Sequence, residues 1–127
     1  MKYLSRYIED AQTKLFNDTG TFFAFSDKQF NEGIKEGVKY TFMGAGMICP
    51  VENVKTLIAG LDAIHEAGIK ADIAENGIEA IIARELSNHE AYYTYDISDT
   101  VDSLEGYNVT NEQIQDVFNK IAPTIDA

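Results

Sequence analysis

The chain has 127 residues, of which 45% are apolar and 11% aromatic, and it carries a formal net charge of -11 at pH 7. This length predicts one compact domain over residues 1–127, and the apolar content excludes an intrinsically disordered chain. No run of about 20 apolar residues exists to span a membrane, and the N-terminal residues are charged. Because Cys49 is the only cysteine, an intramolecular disulfide is excluded too. Together these features predict a cytoplasmic protein.

The charge is unevenly distributed along the chain. Residues 1–63 hold 8 acidic and 7 basic side chains, a net charge of -1, whereas residues 64–127 hold 13 acidic and 3 basic ones, a net charge of -10. No Lys or Arg lies between Arg84 and Lys120. A surface of this kind repels nucleic acids and membranes and attracts basic partners.

The first part of the chain predicts a helix followed by short strands. Apolar residues at helical spacing favour a helix from Lys2 to about Asn17. The aromatic run Thr21 to Phe25 is typical of a buried strand, and Ser26 with Gln29 is typical of a capping box that opens a brief helix. Gly33 would end that helix. We expect the aromatic residues of this region to lie in the core; they are Phe22, Phe23, Phe25 and Phe30.

Two strands and a long helix are predicted next. Lys39 to Met43 and Met47 to Cys49 flank Gly44-Ala45-Gly46, which favours a tight hairpin. Pro50 suits the first turn of a helix because its missing N–H has no partner there. The helix from Pro50 to Ala67, ended by Gly68, is predicted to be the best-buried one, with Leu57 and Leu61 in the core.

The C-terminal half is predicted to be helical. A helix should cover Asp72 to about Glu90 with Gly77 as a weak point, whereas Tyr92 to Tyr95 is ambiguous between strand and loop. Two shorter helices follow, near Ser98 to Glu105 and after Thr110, and residues from about 123 to 127 are predicted to form a disordered tail. The whole pattern predicts an α+β fold with a small, mainly antiparallel sheet packed against several helices.

No motif selects a catalytic residue, a metal or a cofactor. Gly44-Ala45-Gly46 could form a backbone nest for a phosphate, but a structural turn is the favoured interpretation because no Lys-Ser/Thr follows. Glu85 and His89 could share a helix face, with Glu90 and Asp96 near in sequence. A role for His89 in orienting the helix end is favoured over a metal site because imidazole and thiolate ligands are few.

Several short segments together resemble a family of small acidic proteins from bacteriophages, plasmids and related mobile elements of Gram-positive bacteria. These segments are Phe22-Phe23-Ala24-Phe25-Ser26, Gln29-Phe30, Glu32-Gly33, Asn88-His89-Glu90 and Thr94-Tyr95-Asp96. The resemblance covers about residues 1–120 and brings no established activity. It implies a genomic context in which small acidic products often inhibit host nucleases or CRISPR effectors.

We therefore expect a non-enzymatic inhibitor that docks its acidic half on a basic, nucleic-acid-binding surface of a host defence protein, without binding nucleic acid or membranes itself. The candidate contact residues are acidic side chains of the C-terminal half: Glu90, Asp96, Asp99, Asp102, Glu105 and Glu112. Two alternatives stay open. One is a protein that sequesters a nucleotide near the glycine turn, using Lys28, Lys35 and Lys39, and the other is a small metal-dependent enzyme.

Overall fold

The computed structural model describes residues 1–125, which group into two compact units. The N-terminal unit comprises Ser5–Gly68, and the C-terminal unit comprises Met1–Leu4 together with the chain from Ile69 onward. A three-stranded antiparallel sheet and several helices make up the chain. The predicted α+β class is confirmed.

The N-terminal unit contains the whole sheet. Helix α1 (Leu4–Thr19) is followed by β1 (Phe22–Phe23), α2 (Asp27–Gly33), β2 (Tyr40–Gly44) and β3 (Met47–Pro50). The strand order is β1-β3-β2, so β3 is central and pairs antiparallel with both neighbours. These bounds confirm the predicted strands to within two residues at each end.

An aromatic contact joins each face of the sheet to a helix. The register aligns Phe22, Ile48 and Phe42 on one face, where Phe30 of α2 stacks on Phe42 with ring centroids 5.8 Å apart. On the opposite face, Phe16 of α1 meets Phe23 edge to face at 5.4 Å. The central strand is therefore the buried one, with Ile48 completely inaccessible.

The aromatic run is less buried than its composition predicts. Phe23 is 44% exposed and Phe25 is 75% exposed, so the expectation that both lie in the core is wrong. The physical reason is that β1 is a short edge strand, so Phe23 has a paired strand on one side only and Phe25 lies beyond the paired residues. The ring of Phe25 lies against the backbone of Gly46, where a Cβ atom would come within 2.3 Å of it.

The hairpin between β2 and β3 is the predicted structural turn. Gly44, Ala45 and Gly46 have φ values of +95°, +52° and +79°, and the strand register shifts between Phe42 and Gly44. Glycine adopts positive φ without the steric penalty of a Cβ atom, which explains its place at two of these positions. Pro50 belongs to β3, where it pairs with Tyr40, and not to the first turn of a helix as the sequence suggested.

Helix α3 (Val54–Asn76) runs through Gly68, so the predicted end of this helix is wrong. It ends instead before Gly77, whose φ of +78° and ψ of 154° are incompatible with a continuing helix. Glycine costs about 1 kcal/mol in a helix, a penalty that packing can outweigh at the buried Gly68. Leu57 is fully buried as predicted, but Leu61 is only half-buried and Ile58 is 47% exposed.

The best-buried helix is α4 (Ile78–Asn88), which contributes Ile81, Ile82 and Leu86 to the core of the C-terminal unit. It is followed by α5 (Ala91–Thr94), α6 (Ser98–Ser103) and α7 (Asn111–Ile121). Segment 92–95, ambiguous in the sequence, is thus mostly helical. None of the helices in residues 1–125 is long and apolar enough to cross a membrane.

The start of α7 shows the predicted capping box. The Thr110 hydroxyl accepts a hydrogen bond from the Gln113 N–H at 3.1 Å, and the Gln113 side chain accepts one from the Thr110 N–H at 2.7 Å. After α7, a single 3₁₀ turn covers Ala122–Thr124 and so includes the first residues of the tail that the sequence predicts from about residue 123. Residues 126 and 127 of that predicted tail lie outside the described residues.

Candidate protein-binding surface

The six acidic residues predicted to contact a partner all belong to the C-terminal unit, and all six are exposed; they are Glu90, Asp96, Asp99, Asp102, Glu105 and Glu112. We call them the acidic set. None of them forms an ion pair with a basic side chain within residues 1–125. Their charges are therefore not neutralised within the described part of the chain and can attract a basic molecule.

Local backbone structure fixes where these carboxylates stand. Asp96 accepts hydrogen bonds from the Ser98 hydroxyl at 2.6 Å and the Ser98 N–H at 2.9 Å, just before α6 begins. These two hydrogen bonds lower the pKa of Asp96. Asp99 and Glu112 lie in the first turns of α6 and α7, where the helix dipole favours negative charge. Asp96, Asp99 and Glu112 of the acidic set thus lie at or just before helix starts.

Two exposed tyrosines lie between Glu90 and Asp96 of the acidic set. Tyr93 is 76% exposed and Tyr95 is 77% exposed. Tyr95 has a left-handed φ of +58°, and its ring meets Phe118 edge to face at 6.0 Å, while Tyr92 stacks on the same phenylalanine at 5.6 Å. Tyrosine is enriched at protein interfaces because it combines a large apolar area with a polar tip. The segment therefore offers both charge and aromatic contact area.

A cavity of about 340 Å³ lies beside part of the acidic set. Buried Leu104 and Ile114 and half-buried Val101 and Val109 line it. Exposed Asp102 and Glu105 belong to the same lining. The cavity thus combines apolar walls with two carboxylates.

A buried charged network lies within the same unit, and its centre is Asp72. This carboxylate is completely inaccessible and receives both terminal nitrogens of Arg84, each at 2.9 Å. Tyr107 donates to it at 2.6 Å and Asn76 at 2.8 Å. Every oxygen of Asp72 is therefore satisfied, which is the condition for a buried charge to be tolerated.

The network shifts the ionisation of its members. Burial alone would raise the pKa of Asp72, but hydrogen bonds from Arg84, Tyr107 and Asn76 outweigh burial, so its pKa lies below the ordinary value. Burial, together with the hydrogen bond to Asp72, raises the pKa of Tyr107. Asp72 is accordingly charged and Tyr107 neutral at pH 7, so the phenol remains a hydrogen-bond donor.

Arg84 joins three parts of the unit. Its Nε donates to Glu85 at 2.9 Å, one terminal nitrogen donates to the Lys2 carbonyl at 2.8 Å, and its guanidinium lies 5.7 Å from the centre of the Tyr3 ring. Tyr107 fixes the loop between α6 and α7, which carries Glu105 and part of the cavity lining. The network therefore anchors the loop that contributes part of the cavity lining.

Sequence reasoning did not find this network. Asp72 lies three residues from Ile69, and Arg84 three residues from Ile81, so both occupy positions on apolar helix faces. A charged residue on such a face is the available signal, because an unpaired charge is almost never buried. No sequence pattern indicates that Tyr107 completes the set.

The proposed metal ligands have other partners. Glu85 is buried, with one oxygen bonded to Arg84 and the other 3.5 Å from Nε2 of His89. His89 is the C-cap residue that follows α4, and its N–H donates to the Glu85 carbonyl at 3.0 Å. Within residues 1–125, no three His, Cys, Asp or Glu side chains are grouped so that they could hold a metal ion.

The nucleotide alternative finds little geometric support at the glycine turn. Phe25 covers Gly46, and Lys39 lines a separate cavity of about 340 Å³ with Val38, Val51 and Glu52. That cavity does not include the glycine turn.

Comparison with known proteins places the chain in a family. Residues 4–124 match the model of a family of unknown function (DUF7659), and the chain belongs to that family. No curated protein and no solved structure matches it significantly.

Proposed function

We propose that this protein is a non-enzymatic binding protein that docks its acidic set on a basic surface of another protein. The observation that carries the proposal is the exposure of all six carboxylates without a basic partner in the described part of the chain. A carboxylate surface meets the same Lys and Arg groups that bind phosphates, so it competes directly with nucleic acid.

The favoured partner is a nucleic-acid-binding protein of a bacterial defence system, and the proposed role is its inhibition on behalf of a phage or mobile element. The support for this finer part is the acidic charge of -10 in residues 64–127 and the resemblance described above. Tyr93 and Tyr95 supply apolar contact area beside the charges. Such area lowers the dissociation rate, whereas exposed charges mainly accelerate association.

Affinity capture with matched baits tests the proposal. The first bait is the natural chain, and the second carries Asp99→Asn, Asp102→Asn, Glu105→Gln and Glu112→Gln. The control bait carries the same charge change in the N-terminal unit, at the exposed residues Asp10→Asn, Glu32→Gln, Glu36→Gln and Glu52→Gln. We expect a basic protein from a bacterial lysate to bind the natural and control baits at low salt and to be lost from the second bait.

The proposal would be wrong if the captured proteins were the same for all three baits. It would also be wrong if capture by the natural chain did not weaken at high salt, because exposed ion pairs are screened. Addition of a nucleic acid that the captured protein binds should displace it from the natural chain.

A further inference from the structure

The cavity between α6 and α7 has the chemistry of a receptor for one arginine side chain. Its buried floor consists of Leu104 and Ile114, its half-buried walls include Val101 and Val109, and its exposed carboxylates are Asp102 and Glu105. An arginine side chain combines an apolar stem with a charged planar head. The apolar and the carboxylate residues of the lining match the stem and the head of that side chain, respectively.

Size restricts what can enter. The volume of about 340 Å³ is near the lower end of ligand pockets, which span roughly 300–1,000 Å³. A nucleotide is anionic and would be repelled by both carboxylates. A single long basic side chain on a protein surface fits the space and the charge.

The structure also explains how the cavity keeps its shape. Tyr107 lies between Gly106 and Asn108 of the lining, and its hydroxyl donates to the buried Asp72 at 2.6 Å. Gly106 and Asn108 have positive φ values of +92° and +59°, a backbone conformation that glycine and asparagine adopt more readily than most residues. The buried network thus anchors the loop that carries Glu105.

We infer that Asp102 and Glu105, with the apolar residues of the same lining, form an anchor pocket for one arginine of the partner protein. This inference rests on the proposed function and deepens it, because it names the residue type that the acidic set recognises most strongly. Arginine is favoured over lysine because its planar head can bond to two carboxylates at once and because arginine is frequent at interface hot spots.

The test uses a short peptide with one arginine between glycines and with blocked ends. Nuclear magnetic resonance of the methyl-labelled protein should show contacts from the arginine methylenes to Val109 and Ile114. The same peptide with citrulline, which has a similar shape and no charge, should not bind. The lysine peptide should bind more weakly than the arginine peptide.

Two charge-matched variants locate the binding. Asp102→Asn with Glu105→Gln should weaken the arginine peptide about fivefold relative to Asp99→Asn with Glu112→Gln, a difference of about 1 kcal/mol. Equal weakening in the two variants, shifts spread over all carboxylates without methyl contacts, or equal affinity for lysine would overturn the inference. In that event acid-dependent capture from the lysate would still support the proposed function. Conversely, peptide binding at the cavity combined with capture that ignores the acidic set would overturn the proposed function alone.

Discussion

Asp72 accepts hydrogen bonds from three side chains that belong to different segments of the chain. Asn76 is one turn away on α3, Arg84 is on α4 and Tyr107 is in the loop before α7. A buried ion pair rarely adds net stability relative to an apolar pair, because both charges lose their hydration. Removal of one partner is costly, however, because the other charge stays buried. We therefore infer that this network mainly fixes the positions of α4 and the loop before α7 relative to the end of α3.

Replacement of Asp72 by Asn should lower the free energy of unfolding by about 3 kcal/mol, because Arg84 then loses its main counter-charge. The loss should be near the low end of the expected range, since Glu85 still bonds to Nε of Arg84. Urea denaturation measures it, with the exposed Glu105→Gln, outside the helices, as a control that should change stability by less than about 0.5 kcal/mol. A double variant, Asp72→Leu with Arg84→Met, should lose less than the sum of its two single variants. Additive losses would contradict the coupling.

The acid stability of the chain should depend on Asp72. Its pKa in the folded state is lowered, whereas in the unfolded chain an Asp titrates at about 3.9. The stability contributed by this depressed pKa is present above about pH 4 and is lost as the pH falls through the folded-state pKa. Urea midpoints measured from neutral to strongly acidic pH should therefore fall less steeply for Asp72→Asn than for the natural chain. Parallel curves for the two proteins would refute this assignment.

At the level of elements, Gly77 separates α3 from α4. Its φ of +78° and ψ of 154° lie in a region that is almost exclusive to glycine. Its N–H still donates to the Ile73 carbonyl at 2.9 Å, and its carbonyl accepts from the Ile81 N–H at 3.1 Å. The break therefore changes the direction of the chain without leaving these two backbone groups unpaired.

Gly77→Ala should cost about 1–3 kcal/mol, because a Cβ atom makes this backbone conformation unfavourable. Among residues 1–125, no atom outside Gly77 and its chain neighbours lies within 4 Å of the added Cβ, so the cost should come from the backbone and not from a clash. Thermal or urea unfolding measures the effect. Ser87→Ala at an exposed position of α4 is the matched control and should change stability little. An unchanged midpoint for Gly77→Ala would mean that the joint between the helices can relax.

The sequence predicts elements well where one local interaction determines them. Thr110 and Gln113 alone specify the start of α7, and the glycines of the hairpin suit its positive φ angles. Prediction from the sequence fails where tertiary packing determines the end of an element. Gly68 is an example, because glycine commonly ends a helix and yet Gly68 lies inside α3. The prediction that Phe25 is buried is wrong for the same reason, since its exposure depends on where β1 stops pairing. The acidic set was found from composition, whereas the cavity beside it depends on tertiary contacts that no spacing shows.

On the scale of the whole molecule, residues 1–63 and residues 64–127 differ in net charge and therefore in how strongly they attract a basic partner. The first 63 residues are nearly neutral, and two of their ion pairs lie within α1, between Arg6 and Glu9 and between Lys14 and Asp18. The later residues hold most of the negative charge. Attraction to a basic partner over distances of about 10 Å at moderate salt should therefore come mainly from the later residues.

Neutralising Asp99, Asp102, Glu105 and Glu112 should separate binding from folding. These side chains are exposed and have no basic partner among the described residues, so their amide replacements should each change the free energy of unfolding by less than about 1 kcal/mol, with the larger losses at the helix starts that hold Asp99 and Glu112. Association with a captured basic partner should nevertheless slow, and its rate should depend less on salt, because exposed charges chiefly steer the encounter. Surface plasmon resonance at several salt concentrations measures both quantities, with the four-residue variant of the N-terminal unit as the charge-matched control. An unchanged association rate and an unchanged dependence of that rate on salt would contradict this prediction. The acidic set would then serve solubility alone, and the aromatic side chains and the residues that line the cavities would be the next to mutate.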